Sequence, residues 1–239
     1  MERSLDNRVI AIAGAAGGLG PTVAERLAAE GATLALTDLD QARLDAVAAD
    51  LALPEERIDA RVVDLLSEAD AHLWSAALGD RFGHVDAVLH LVGGWRGGEP
   101  LATAPLEDYA WLHDLLVVTL QHTSRAFYNS LATSASGRFV LVSSSQAQNP
   151  DGTNASYAAT KMAAETWTLA LADSFRRDGV AATANIVVVN AILTPAMRAE
   201  APEKPFKTFT PAEDIAEAIA FICSDAGARM NGKRLPLYS

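Results

Sequence analysis

Compact apolar runs alternate with helix-period stretches along almost the whole 239-residue chain, and that alternation limits the fold more than any single residue does. "RVIAIAG" reads as a buried strand ending in glycines. "PTVAERLAAEG" follows with helical periodicity, Pro21 in its first turn and Gly31 just past its end. "TLALTD" and "QARLDAVAADL" repeat the strand–helix pair, and "IDARVVD", "VDAVLHLVG", "GRFVLVSS" and "ATANIVVV" add further strands. The intervening stretches near 69–82, 106–131 and 154–177 predict helices. "TPAED" opens a last one, with Thr210 as N-cap and Pro211 in the first turn, before a short strand near Leu235. Such alternation implies right-handed crossovers and a mainly parallel, doubly wound α/β sheet covered by helices on both faces. No repeat, low-complexity tract or linker divides the chain, so a single domain is expected over 1–239. Ligands of such folds bind beyond the carboxyl ends of the strands.

The formal charge of −11 argues against nucleic acid or an anionic membrane as the main partner, because both reward clustered Lys and Arg. The single cysteine, Cys223, leaves no intrachain disulfide or multi-cysteine metal site, and its apolar run "IAFIC" marks it as a core thiol. No metal is expected. The opening "MERSLDNRV" lacks an apolar signal core, and the apolar stretch from Val180 to Leu193 is too short to span a bilayer. A cytoplasmic location is the expectation.

"AGAAGGLG" joins the first strand to the first helix, and Gly14, Gly18 and Gly20 follow the spacing G-x-x-x-G-x-G. Glycines allow a sharp turn and close approach to a pyrophosphate, while a helix N-terminus supplies free N–H groups. Asp38 ends the second strand about twenty residues on, where a carboxylate accepts from ribose hydroxyls and repels a 2′-phosphate. Ala15 and Ala16 bring no positive charge, although Arg43 lies close, so the reading is NAD over NADP. Asp64 ends the third strand, placed either to accept from an adenine amino group or to cap a helix.

Tyr157 and Lys161 in "SYAATKMAAE" lie one helical turn apart on a shared face. Chance supplies only about 0.07 such pairs in a chain of this composition. A nearby cation favours the phenolate, so the pair suits acid–base work. Ser144, thirteen residues before Tyr157, stands at the carboxyl end of its strand, at the same sheet edge.

Taken in order, Gly14, Gly18 and Gly20, Asp38, Asp64, the serine-bearing strand, "YAATK" and the tail from "TPAED" closely resemble the short-chain dehydrogenase/reductase family over essentially the whole chain. The resemblance implies a Rossmann-type domain and an NAD(P)-dependent oxidoreductase that interconverts a secondary alcohol and a ketone. It makes Tyr157 the general acid/base, Lys161 the charge beside it and the holder of the nicotinamide ribose, and Ser144 the ligand of the substrate oxygen. It implies cofactor contacts at Gly14, Gly18, Leu19, Gly20, Asp38, Asp64, Leu65, Tyr157, Lys161 and Thr194. A homodimer or homotetramer packed through the 106–131 and 154–177 helices is also implied, with Trp111 and Trp167 there or in the core.

The chain departs from the family in three places. "HLVG", His90 to Gly93, replaces the usual N-N-A-G, and a histidine ending a strand reads as structural. Leu116 falls where the family keeps an asparagine that holds a water beside the lysine, so the relay behind Lys161 is expected to be absent or supplied by another group such as His113 or Thr119. Val189-Asn190 replaces a Pro-Gly, with Thr194 and Pro195 following at the usual distance. At the mouth, Trp95 in "GGWRGGEP" is expected to cover a substrate and Arg96 to bind an anionic group, and the segment near 195–210 to form a lid. The rival expectation is a dinucleotide-binding redox sensor or non-catalytic partner subunit, which Leu116 and Val189-Asn190 keep open.

Overall fold

Strand β1 (Val9–Ala13) lies third from one edge of a seven-stranded sheet, and the computed structural model describes residues 4–238. The strands β2 (Thr33–Asp38), β3 (Ile58–Val62), β4 (Ala87–His90), β5 (Arg138–Ser144), β6 (Thr183–Val189) and β9 (Arg234–Pro236) complete it. Their order is β3-β2-β1-β4-β5-β6-β9, and every pairing is parallel. Strand order reverses between β1 and β4, which opens a crevice at their carboxyl ends.

Side chains alternate across the sheet because successive residues of a strand face opposite ways. Ile10, Ile12, Leu34 and Leu36 pack against helices α1 (Gly20–Ala29), α2 (Gln41–Leu51) and α9 (Ala212–Cys223). Val9, Ala11, Ala13 and Val88 pack against α3 (Glu68–Phe82), α5 (Thr119–Ala126) and α7 (Ala155–Arg177) on the other side. With both faces covered, the strands read as continuous apolar runs, as parallel sheets do. Cys223 is buried, and burial pushes its thiol up to about 12, which leaves it inert at neutral pH.

Two sequence expectations change. The helix expected over 106–131 is broken into α4 (Leu106–His113), a π-helical segment Asp114–Val118, α5, and α6 (Tyr128–Thr133). At the π segment the Thr119 hydroxyl donates to the Leu115 carbonyl at 2.6 Å, four residues back, the kind of back-bond that disturbs a helical ladder. Thr210 does not cap α9, whose first residue follows Pro211 directly. It lies instead in β8 (Phe209–Pro211), paired with β7 (Ala191–Leu193), and donates its hydroxyl to the Leu237 carbonyl at 2.8 Å. Strand pairing holds Thr210 extended and turns its hydroxyl to another partner. Helix α8 (Pro195–Glu200) lies between these two short strands.

Candidate active site

The turn after β1 is built for close approach. Gly14 has φ +81°, and a Cβ there would sit 2.8 Å from the Val92 amide nitrogen. Its N–H and that of Ala15 both donate to the Thr37 carbonyl, which ties the turn to β2. A Cβ on Gly20 would lie 2.1 Å from the Ala15 carbonyl oxygen, so this third glycine seats α1 on the turn rather than lining the cavity above it. Gly18 does line that cavity, opposite Thr194. No side chain caps α1, so its first N–H groups remain available beside Gly18 and Leu19.

The cavity encloses about 1280 Å³ and runs along the carboxyl ends of the strands. That volume exceeds the few hundred Å³ that one small ligand needs. At one end, Asp38 accepts from the Ala16 amide at 3.0 Å and the Leu39 amide at 2.8 Å. It is Asp40, not Asp38, that caps α2. Arg43 shares this end and donates to the Ala16 carbonyl. Asp64, exposed, and Leu65, buried, line the next stretch, and Asp64 accepts from the Leu66 amide at 2.9 Å.

Ser144, Tyr157 and Lys161 meet at the other end. Ser144 terminates β5, and its hydroxyl lies beside the Tyr157 phenol in the cavity while accepting from the Gln146 amide at 3.2 Å. Burial pushes the Tyr157 phenol above its usual range, and the Ser144 hydroxyl offsets this in part. The expectation that Lys161 lowers this phenol is therefore not what the structure displays. The ammonium lies 5.8 Å from the tyrosine ring centroid, and burial dominates. Lys161 is itself 6% exposed, donates to the Val142 carbonyl at 3.1 Å, and is pushed down to about 8 by burial, with Glu165 opposing.

Behind the lysine lies His90, only 1% exposed. Its register partner in β5 is Leu141, the residue before the carbonyl that Lys161 bonds. Burial, reinforced by the Lys161 charge, pushes the imidazole down to about 3, so it is neutral at physiological pH. Its Nε2 lies 3.3 Å from the Thr119 hydroxyl, and Thr119 lines the cavity. Leu116 is buried and lies outside the cavity lining. His113 faces Asp114 at 3.5 Å and stacks on Tyr109, so of the two substitutes expected from sequence only Thr119 reaches the cavity.

The substrate end is apolar. Trp95, Trp111, Leu115, Ile192 and Met197 line it, with Thr194 capping α8 through the Met197 amide at 3.2 Å. Arg96 is not among the lining residues. Its guanidinium lies 4.1 Å above the Trp111 ring and bonds Asp108 at 3.2 Å, so a cation expected to bind substrate instead holds the loop against α4. Asn190, a departure from the family pattern, accepts from the Ser145 hydroxyl at 2.9 Å and donates to the Thr208 carbonyl at 3.1 Å. It thereby links the residue after Ser144 to the segment entering β8. The only sequence signal for it was a polar amide at a strand end.

The chain matches known proteins in sequence and in fold. A family model described as enoyl-(acyl carrier protein) reductase matches residues 14–237. The chain belongs to the short-chain dehydrogenase/reductase family. Among its relatives, 3-beta-hydroxysteroid dehydrogenase of Comamonas testosteroni is 28% identical over 251 residues, covering 98% of this chain and 96% of the relative. A short-chain dehydrogenase/reductase structure from Brucella melitensis, a glucose/ribitol dehydrogenase by its description, superposes with a TM-score of 0.83 at 30% identity, covering 99% of this chain and 97% of that one. The structure of levodione reductase superposes with a TM-score of 0.85 at 26% identity, covering 98% and 97%. As a short-chain dehydrogenase/reductase the protein is an oxidoreductase of a family that uses NAD(P). Among its described residues no helix is long and apolar enough to cross a membrane.

Proposed function

We propose that the protein interconverts a secondary alcohol and a ketone carried on an apolar body, with NAD as the hydride carrier. The convergence of Ser144 and Tyr157 on one cavity, with Lys161 buried one turn along α7, is the observation that carries this reading.

The cavity residues suit a dinucleotide. Any side chain at Gly14 would collide with the β4 turn, and the Asp38 carboxylate faces the cavity with its position set by two amides. It accepts hydroxyl groups well and opposes a phosphate. The nicotinamide, when bound, supplies or takes the hydride. Tyr157, protonated at neutral pH because burial raises it, donates its proton to the ketone oxygen in reduction. Ser144 donates a hydrogen bond to the same oxygen as charge develops there. Lys161 stabilises the tyrosinate left behind, and as long as it keeps its own charge it makes the reverse proton abstraction feasible. Trp95, Trp111 and Met197 exclude water and fit a ring or alkyl body.

A panel of cyclic and aryl ketones with NADH tests this, comparing the wild type with Tyr157→Phe. Turnover lost in the variant, with NADH binding retained, supports the reading; NADH binding without turnover in the wild type would favour the cofactor-binding rival. Because Arg43 shares the Asp38 end, fluorescence titration with both reduced cofactors tests the cofactor choice. Tighter NADPH binding would overturn the NAD reading.

A further inference from the structure

Thr119 has one hydroxyl proton, and its 2.6 Å contact to the Leu115 carbonyl takes it. The Thr119 oxygen is therefore an acceptor toward His90, which assigns the imidazole proton to Nε2. Nδ1 then carries a lone pair. It is buried with no hydrogen-bond partner among the described residues. An unpaired buried acceptor costs roughly 1–3 kcal/mol unless something donates to it.

The available donor is Lys161. Among the described residues it donates only to the Val142 carbonyl, which leaves two of three ammonium protons for other partners. His90 and Lys161 share the sheet face covered by α5 and α7, as strand alternation from Val88 and packing of Ala164 require. The other charged and titratable groups near the lysine are Tyr157 and Glu165 on its own helix, with Arg234 of β9 bonding Glu165 at 2.7 Å. Asp114 lines the same cavity with an exposed side chain.

Resting on the dehydrogenase reading above, we propose that His90 is a positioning residue for Lys161, its Nδ1 accepting from the ammonium through one bridging water while Thr119 locks the imidazole in the Nε2–H form. A bridging water suits a polar contact longer than a direct hydrogen bond. The low imidazole pKa matches this arrangement, since a protonated ring would repel the lysine and lose the acceptor.

The test uses the full chain labelled with ¹⁵N-histidine and long-range ¹H–¹⁵N correlation spectra. His90 should remain the neutral Nε2–H form from pH 5 to pH 9, values chosen on either side of an ordinary histidine pKa of about 6.5. Its Nδ1 resonance should shift toward that of a free lone pair in Lys161→Met. A proton on Nδ1, or an Nδ1 resonance indifferent to Lys161→Met, would overturn the proposal. Kinetically, His90→Leu should lower kcat roughly tenfold with KM for NADH within about twofold, and His90→Asn should recover most of the loss. Equal loss in both variants, or a loss confined to KM, counts against it. Should His90→Leu fail to fold, Thr119→Val serves instead, and a mixed tautomer population is the expected result, an unchanged one the contrary result. The spectra need no substrate, so they decide the His90 contact even if no ketone is turned over and the dehydrogenase reading fails.

Discussion

The two ends of β4 make opposite use of buried polarity. Asp86, just before the strand, is 6% exposed and accepts from the Val9 amide at 3.0 Å, Ser134 at 2.7 Å and Ser136 at 3.2 Å, with His84 at 3.1 Å. Every strong acceptor direction is filled. His90, four residues on, has one contact and one bare nitrogen, and Ser143 and Thr37 at the same sheet edge also bury unpartnered hydroxyls. A saturated network fastens loops together, whereas an unsaturated one is ready for a ligand or a transferring proton. Unpartnered atoms also occur at the amino ends of β5 and β6, on Arg138 and Thr183, but neither lines the cavity, whereas Thr37 and Ser143 line it and His90 adjoins it through Thr119. Location beside the cavity, together with the missing partner, is what marks function.

Four measurements sharpen or break this contrast. Lys161→Ala should show the largest effect, lowering kcat/KM by roughly 10²–10⁴-fold while the protein stays folded. Near-normal turnover would remove the functional meaning of that end. Asp86→Ala should do the reverse: its Tm falls by roughly 6–12 °C for a loss of about 3 kcal/mol, with kcat per folded molecule unchanged. A Tm within a degree or two of wild type would show that the saturated network fastens nothing.

The third measurement concerns acid. The folded His90 pKa, about 3, is depressed below the unfolded value of about 6.5, so the unfolded chain takes up the proton first as pH falls. Its contribution is complete above about pH 6.5 and is lost progressively toward about pH 3, at up to about 1.4 kcal/mol per pH unit. Denaturant melts of His90→Leu should therefore show a shallower loss of stability than wild type over that window. An unchanged slope would mean that the ring gains a proton without cost. Smallest of all, Arg96→Ala should change kcat/KM by less than about twofold, because the guanidinium is engaged by Asp108 and Trp111. A tenfold rise in KM for an anionic ketone would return Arg96 to the substrate.

Much of this was legible in the sequence because it depends on local pattern. The strand runs, the glycine turn, and the Tyr157–Lys161 spacing follow from the periods of strands and helices, and each is found in the structure where the pattern puts it. Cavity lining by Gly14, Gly18, Leu19, Asp38, Asp64, Leu65, Ser144, Tyr157, Lys161, Thr194 and Trp95 accords with the strand-end rule. The break in the 106–131 helix accompanies a local back-bond from Thr119 to Leu115, whereas other differences arise where packing brings in a partner. Thr210 looked like a helix cap until β7 and Leu237 claimed it. Gly20 fitted the cofactor spacing, but Ala15 occupies the space beside it. Arg96 looked free until Trp111 and Asp108 took its charge.

The amino-acid sequence by itself determined the parallel α/β architecture and the helical face that carries phenol and ammonium, since both follow from residue periodicity along one segment. Only the tertiary structure decided which end of β4 holds a satisfied charge and which holds a spare acceptor, and whether burial or a neighbouring cation governs Tyr157. Those outcomes depend on desolvation and on hydrogen-bond partners brought together from β4, β5, α5 and α7. Chain order carries no information about such distances until the sheet is assembled.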